Sequence, residues 1–345
     1  MKELLPETKW QFVNSANKRD ILHDRLSPDV PIYGPEAPSD MENPDSSWME
    51  SFIEFKFNAS ADPFIDIPRT QENTIAPGKG KVFEHDSIEA KLNRGQLGSY
   101  VAAIAGSQFR LRVFSVFIFG SFARLMCWDR AAAVVTESFN YTDKPYLAQF
   151  FLSYCSLTPE KRGLDPSVSA LTAKELKAVN KLDCLNDLSI LNHHHREFRF
   201  MKIRDRDLTA EYDFLISYPP KYSYRSPFGR ATRPMRAYDM RKKKVVFVKD
   251  YWRPDSSEIE KEGDIYRSLE SAQVPYIAPF GVGNDVRNFT THIQRYREHI
   301  WACDTVRFSG LVLYRMSLEK LGHNLVEFKS THELVKVISH AMTGM

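Results

Sequence analysis

Cysteine is scarce in this chain. Four in 345 residues, Cys127, Cys155, Cys184 and Cys303, lie far apart and show no CxxC spacing. That excludes a disulfide frame and a zinc site, and leaves reduced core thiols of an intracellular protein, cytoplasmic or nuclear. Charge of one sign is missing too: 47 basic and 44 acidic side chains leave a net +3. No global electrostatic drive toward nucleic acid or a membrane follows from that balance. Long apolar runs are absent. The longest, Val113–Phe119, is too short to span a bilayer. The first residues, MKELLPETKWQF, are too charged for a secretory signal. There is no internal repeat, no Gly-x-Ser-x-Gly elbow, and no Cys/His pairing that suggests acyl transfer. His193, His194 and His195 are consecutive, so regular structure cannot turn all three toward one metal. They read as a linker with one buried histidine, and no metal site is expected there.

What is present is length and 43% apolar content, enough for two domains. Residues 1–27 mix polar and apolar positions at helical spacing, with Trp10, Phe12, Val13, Ile21 and Leu22 as contacts. PDVPIY (28–33) and SWMESFIEFKF (47–57) read as strands, separated by a Pro- and Asp-rich loop. Arg94–Arg110 reads as a helix. LRVFSVFIFG and SFARLMCWDR read as two buried strands meeting near Gly120 and Ser121, and AAAVVTESFNY adds an extended segment. Pro145–Leu157 and TAKELKAVNKL have helical density. From about residue 195 the pattern becomes strand-rich: FRFMKIR, EYDFLIS, RPMRAYDM and KKVVFVKDYW. A helix follows at 257–270, then FTTHIQRYREH and GLVLYRM as strands, then a helix from His332 to Met342. The expected fold is therefore α+β, with an α/β domain over 1–195 and a β-rich domain over 196–345.

In the first domain, Asp29 sits on one strand candidate, and Glu54 and Lys56 on the next. Strand alternation puts Glu54 and Lys56 on one side, and a hairpin would bring Asp29 to Glu54. Two carboxylates beside a lysine suit a magnesium ion and an oriented water next to a phosphodiester. Gln96 and Tyr100 follow one helical turn apart. This order resembles the restriction-endonuclease-like nuclease core, PD…ExK and then a glutamine-bearing helix. Asp45, after Pro44, is a second aspartate candidate. The bland alternative keeps the same fold as scaffold, with Glu54 and Lys56 a structural or partner-binding pair. On the nuclease reading Asp29 and Glu54 are the metal candidates, and nucleic acid is the substrate.

In the second domain, GRATR (229–233) precedes VVFVKDYW (245–252), and a charged segment with Glu262 follows. Taken alone, Lys249 is a strand-end lysine paired with Asp250 at the surface, Glu262 a solvated helix face, and Gly229 a plain turn. Taken together, a glycine turn, a strand lysine and a helix glutamate resemble a kinase amino-terminal lobe. With EGDIYRSL, LVEFKSTHELVKVISHAM and, earlier, IEFK, RGQLGSY, FSVFIFGSFARLMCWDR and RGLDPSV, the set resembles the fungal-type protein kinase family over nearly the whole chain. That resemblance implies Lys249 on nucleotide phosphates, Glu262 holding it (with Glu258 and Glu260 as competitors), and Gly229 at the phosphate turn. It also implies Glu319–Leu325 as the segment joining two kinase lobes, and ATP and magnesium as cofactors. The sequence reaches Met345 before any catalytic loop or metal-binding aspartate. The expectation is thus a kinase-like lobe without its carboxy-terminal lobe, inactive alone, with apolar surface near Leu318–Met342 suited to a protein partner or self-association. Arg241–Lys244 reads as a solvated hairpin tip, with phosphate-backbone contact or nuclear import as alternatives.

Overall fold

The computed structural model describes residues 9–15, 18–20, 26–39, 41, 43–66, 83–182, 185, 197–207, 209–220, 226–299, 301–302, 310–323 and 325–343. Cys184, Cys303 and the histidine run 193–195 lie outside the described residues. Architecture is mixed α and β with two sheets. The chain separates into two compact units: Met1–Pro166 with Tyr222–Ala231 and Thr291–Gly310, and Ser167–Lys221 with Thr232–Thr290 and Leu311–Met345. Among the described residues, no helix is long and apolar enough to cross a membrane.

The first unit is built on a mixed sheet. Its path is β1 (Gln11–Phe12), β2 (Val30–Tyr33), β3 (Met49–Lys56), β4 (Val113–Phe119), β5 (Phe122–Trp128) and β6 (Ala133–Val135), with β7 (Phe139–Asn140) also on β5. All pairings are antiparallel except β3 with β4. Parallel neighbours need a crossover, and α1 (Ile88–Ser107) supplies it. Its start is fixed by Ser87, whose hydroxyl accepts the Ala90 amide at 3.1 Å. The helix therefore begins earlier than the apolar spacing alone places it. One sheet face packs Phe52, Phe117 and Met126 against Leu97, Tyr100 and Ile104 of α1. The other packs Ile53, Val116 and Ile118 against Phe151 of α2 (Tyr146–Ser156). Each such side chain contributes about 1.5–3 kcal/mol by leaving water.

Residues 11 and 12 form a strand, where the sequence spacing favours a helix. Gln11 pairs with Tyr33 and Phe12 with Ile32, and the Phe12 ring meets Phe151 edge-on at 5.4 Å. An open sheet edge outweighs weak helical periodicity there.

The second unit holds an antiparallel sheet in the order β13–β14–β12–β11–β10–β9–β8. The strands are β8 (Val168–Ala170), β9 (Glu197–Arg204), β10 (Glu211–Tyr218), β11 (Arg233–Asp239), β12 (Lys244–Pro254), β13 (Phe280–Thr290) and β14 (Leu311–Leu318). Helices α3 (Ala173–Val179), α4 (Glu262–Ser271) and α5 (Thr331–Thr343) accompany it. Thr172 and Glu175 close a reciprocal capping box on α3. One side of the sheet is held by polar chemistry: Arg315, fully buried, donates to Asp250 at 2.8 Å.

Phe289 and Thr290 do end a strand, but Ile293–Glu298 is a 3-10 helical turn of the first unit rather than a strand. The cause is Asp129. Its Oδ2 accepts the amides of His292 at 2.7 Å and Ile293 at 3.0 Å, which satisfies the orphan donors at a helical start. Residues 257–261, read as helix from sequence, precede α4 without joining it.

Candidate functional site

Strand β12 runs between β11 and β14. Alternation sends Val245, Phe247, Lys249 and Tyr251 to one face. Lys249 Nζ donates to both carboxylate oxygens of Glu262, at 2.8 and 2.7 Å. It also lies 4.7 Å from the centroid of the Tyr251 ring. Both side chains keep about a quarter of their surface exposed. Asp250, adjacent in sequence, points the other way to Arg315 and is not the lysine's partner.

Glu262 reaches Lys249 because the next residue is glycine. The Gly263 amide donates to Tyr314 Oη at 2.9 Å. A Cβ at residue 263 would lie 2.5 Å from that oxygen and 2.8 Å from Phe280 Cζ, so only glycine lets the first turn of α4 sit this close to β13 and β14. Lys261 anchors the helix start, donating to Asn284 Oδ1 at 2.7 Å and pairing with Asp285 at 2.8 Å. Arg253 grips the same Asp285 at 2.7 and 2.8 Å. Those three charges were not singled out from sequence, since nothing local links residues so far apart. Glu258 and Glu260 are exposed in the segment before the helix.

Glu319, which opens the Glu319–Leu325 segment, donates its amide to the Pro279 carbonyl at 2.9 Å and binds Lys244 at 2.9 Å and Lys242 through its carboxylate. Part of the Arg241–Lys244 turn is thus engaged within its own unit. Gly229 belongs to the first unit. Its φ of +90° requires glycine, and its amide is donated to the Arg130 carbonyl at 2.8 Å. That amide is used by the fold.

In the first unit, the hairpin of β2 and β3 brings Asp29 beside Glu54. The Asp29 amide donates to Glu54 Oε2 at 3.4 Å, and the Phe55 amide donates to Asp29 Oδ2 at 2.8 Å. Lys56 Nζ bridges Glu54 Oε1 at 2.7 Å and Gln96 Oε1 at 3.0 Å. Gln96 Nε2 continues to Tyr100 Oη at 2.6 Å, which donates to the Ser27 carbonyl at 2.9 Å. Burial raises the Glu54 carboxyl above its ordinary range. Lys56 pulls it back, and the Asp29 charge pushes it up again. Tyr100 is pushed up by burial and by the Glu54 and Asp29 charges. Asp45 is elsewhere: its carboxylate accepts the Ser47 amide at 2.9 Å and the Ser47 hydroxyl, capping the turn into β3. Two carboxylates facing one ammonium suit a divalent cation, whose charge would relieve their mutual repulsion. They remain a pair, since among the described residues no group of three or more His, Cys, Asp or Glu is placed to hold a metal.

A strand lysine clasped by the glutamate of the following helix is the arrangement protein kinases use around nucleotide phosphates. A family model described as fungal protein kinase matches residues 71–345. The chain belongs to the fungal protein kinase family. The match spans Gln96, Gly229, Lys249 and Glu262, and begins after Asp29, Glu54 and Lys56. No curated protein and no solved structure matches the chain.

Proposed function

We propose that the second unit is a kinase-type nucleotide-binding lobe. Lys249 neutralises phosphate oxygens, Glu262 fixes its ammonium, and the backbone of Glu319–Leu325 borders the base. The observation that carries this reading is the two-oxygen clasp of Lys249 by Glu262. ATP with magnesium is the ligand its family membership favours. Phosphoryl transfer also needs a base and a metal-holding aspartate, and these 345 residues contain neither an HRD nor a DFG triplet. The chain on its own is therefore proposed to bind nucleotide without turning it over. Calorimetric titration with ATP, with and without magnesium, tests this. Binding lost in Lys249→Ala is expected; binding unchanged in that variant removes the assigned role. Phosphate transfer by the isolated chain contradicts the incompleteness.

A second reading has its own support in the first unit. Asp29 just before β2, Glu54 and Lys56 on β3 and Gln96 on α1 converge, in the order of a restriction-endonuclease-like core. On this reading Asp29 and Glu54 would hold a magnesium ion, which neutralises phosphate charge and lowers the pKa of a bound water. Lys56 would face the developing charge on phosphorus, and Gln96 would orient Lys56. Cleavage of DNA or RNA in magnesium, lost in Glu54→Ala, is the expected result; cleavage absent from the wild type, or equal in the variant, ends this reading.

A protein partner or self-association is proposed at α5. That helix buries no residue and exposes Val335, Val337, Ile338 and Met342. Solution mass that stays monomeric at high concentration would leave self-association without support.

A further inference from the structure

The residue ahead of Glu262 has the wrong chemistry for its place. Lys261 is the N-cap of α4, and its side chain makes no capping bond to that helix. Ser, Thr, Asp or Asn serves such a position best, and the start of a helix favours negative charge. A cation there works against the helix unless something off the helix holds it. A residue that breaks a local rule in this way is expected where a contact elsewhere needs it.

That contact is on β13. Lys261 Nζ donates to Asn284 Oδ1 at 2.7 Å and pairs with Asp285 Oδ2 at 2.8 Å. Asp285 also accepts Arg253 Nε at 2.7 Å and Nη2 at 2.8 Å. Arg253 lies on β12, and strand alternation puts it on the same face as Lys249. The ion pairs therefore close a ring. It runs from Lys249 to Glu262, along the chain to Lys261, across to Asp285, and through Arg253 back to the strand of Lys249. Asp285, Tyr314 and Tyr251 are register partners across β13, β14 and β12, and Tyr314 Oη accepts the Gly263 amide. Burial alone would raise the Asp285 carboxyl. The hydrogen bonds and charges of Arg253 and Lys261 outweigh it and hold the group below its ordinary value.

We infer that Lys261 is a positioning residue for nucleotide binding: tied to Asp285, it holds the first turn of α4 so that Glu262 keeps Lys249 in place before a nucleotide arrives. The clasp of Lys249 by Glu262 is a quarter exposed and contributes little by itself. It needs a helix start fixed by other contacts, and Lys261 supplies one on the residue next to the glutamate. The inference rests on the nucleotide-binding reading and adds how that site is kept assembled.

The test is calorimetric titration of the full chain with ATP and magnesium, with urea unfolding of each variant as the measure of folding. Lys261→Met removes the tie to α4 and leaves Asp285 on Arg253. It should bind ATP about fivefold more weakly than the wild type. Lys261→Arg, which keeps the charge and its donors, should retain most of the affinity. In a Glu262→Gln background Lys261→Met should cost little further affinity, because the lysine acts through the glutamate. A merely structural role would weaken binding alike in both backgrounds. Wild-type affinity in folded Lys261→Met, no recovery with arginine, or full additivity with Glu262→Gln would each overturn the inference. Should Lys261→Met fail to fold, Lys261→Gln takes its place under the same criteria. Binding lost in Lys249→Ala but intact in Lys261→Met removes the positioning role alone. Absent ATP binding by the wild type, or binding unchanged in Lys249→Ala, removes the nucleotide reading and the positioning role with it.

Discussion

Lys249 and Glu262, thirteen residues apart in sequence, meet through both carboxylate oxygens of the glutamate. The pair is a quarter exposed, so it contributes little to folding, about 1 kcal/mol or less after solvent screening. Its consequence is positional. Glu262→Gln should leave the unfolding midpoint in urea nearly unchanged while weakening ATP binding about tenfold. Lys249→Ala should weaken binding at least as much. The double variant should lose no more than Lys249→Ala alone, because the glutamate acts through the lysine. Fully additive losses in the calorimetric titration would mean that the two residues serve separate purposes.

Gly263→Ala tests the docking of α4. The added methyl collides with Tyr314 Oη and Phe280, and forced overpacking typically costs about 1–3 kcal/mol. Urea unfolding should show a loss of that size, with ATP affinity falling as Glu262 is displaced. Tyr314→Phe in the same chain removes the oxygen nearest the new methyl and should recover part of the loss. A Gly263→Ala variant as stable as the wild type would mean that this close approach does not fix the helix.

Much of this arrangement was legible in the residues. The period-2 pattern of VVFVKDYW placed β12, and the order of Asp29, Glu54, Lys56 and Gln96 anticipated which side chains meet. Spacing left Asp29 and Asp45 as rivals. Pairing of β2 with β3 separates them, because it carries Asp29 to Glu54 and leaves Asp45 in the turn before β3. Likewise, Glu258, Glu260 and Glu262 look alike in sequence. Only the glycine after Glu262, through its contact with Tyr314, distinguishes the three. Asp129 was hidden for the opposite reason. Its ladder of amide bonds reaches residues 292 and 293, and no local pattern announces a partner at that separation. That long-range cap turned an apparent strand into a helical turn.

Glu54 makes the first unit sensitive to pH. Its folded carboxyl is raised, chiefly by burial, with the Asp29 charge adding and Lys56 opposing. A raised carboxyl favours the folded state below the ordinary carboxylate value, and that contribution is lost as pH climbs through the raised folded value. Without metal, stability should therefore decline over that interval in the wild type and much less in Glu54→Gln. If the nuclease reading holds, magnesium held by Asp29 and Glu54 should bind more tightly as pH rises across the same interval, because the cation competes with the proton on Glu54. Thermal melts at several pH values, with EDTA or magnesium, measure both trends. Magnesium stabilisation that is independent of pH, or identical in Glu54→Gln, would place the cation elsewhere.

Glu50 shifts in the opposite sense. Glu50 is buried, and its carboxylate binds Arg110 at 2.5 Å and Arg162 at 3.3 Å, with both guanidiniums also buried. Burial alone would raise this carboxyl. The two arginine charges and their hydrogen bonds outweigh it and hold the group below its ordinary value. Its contribution is therefore present above the unfolded carboxylate value and is lost as pH falls through the depressed folded value. Removing its charge strands two guanidiniums in the interior, which costs about 3–5 kcal/mol. Glu50→Gln should lose that much in urea unfolding at neutral pH and lose little more on acidification, whereas the wild type should decline steeply in acid. Replacing Glu50, Arg110 and Arg162 together with apolar residues of similar volume should restore most of the stability, because no orphaned charge then remains. A loss below about 1 kcal/mol in Glu50→Gln would show that water already reaches these guanidiniums, and the cluster would then be no stronger than a surface pair.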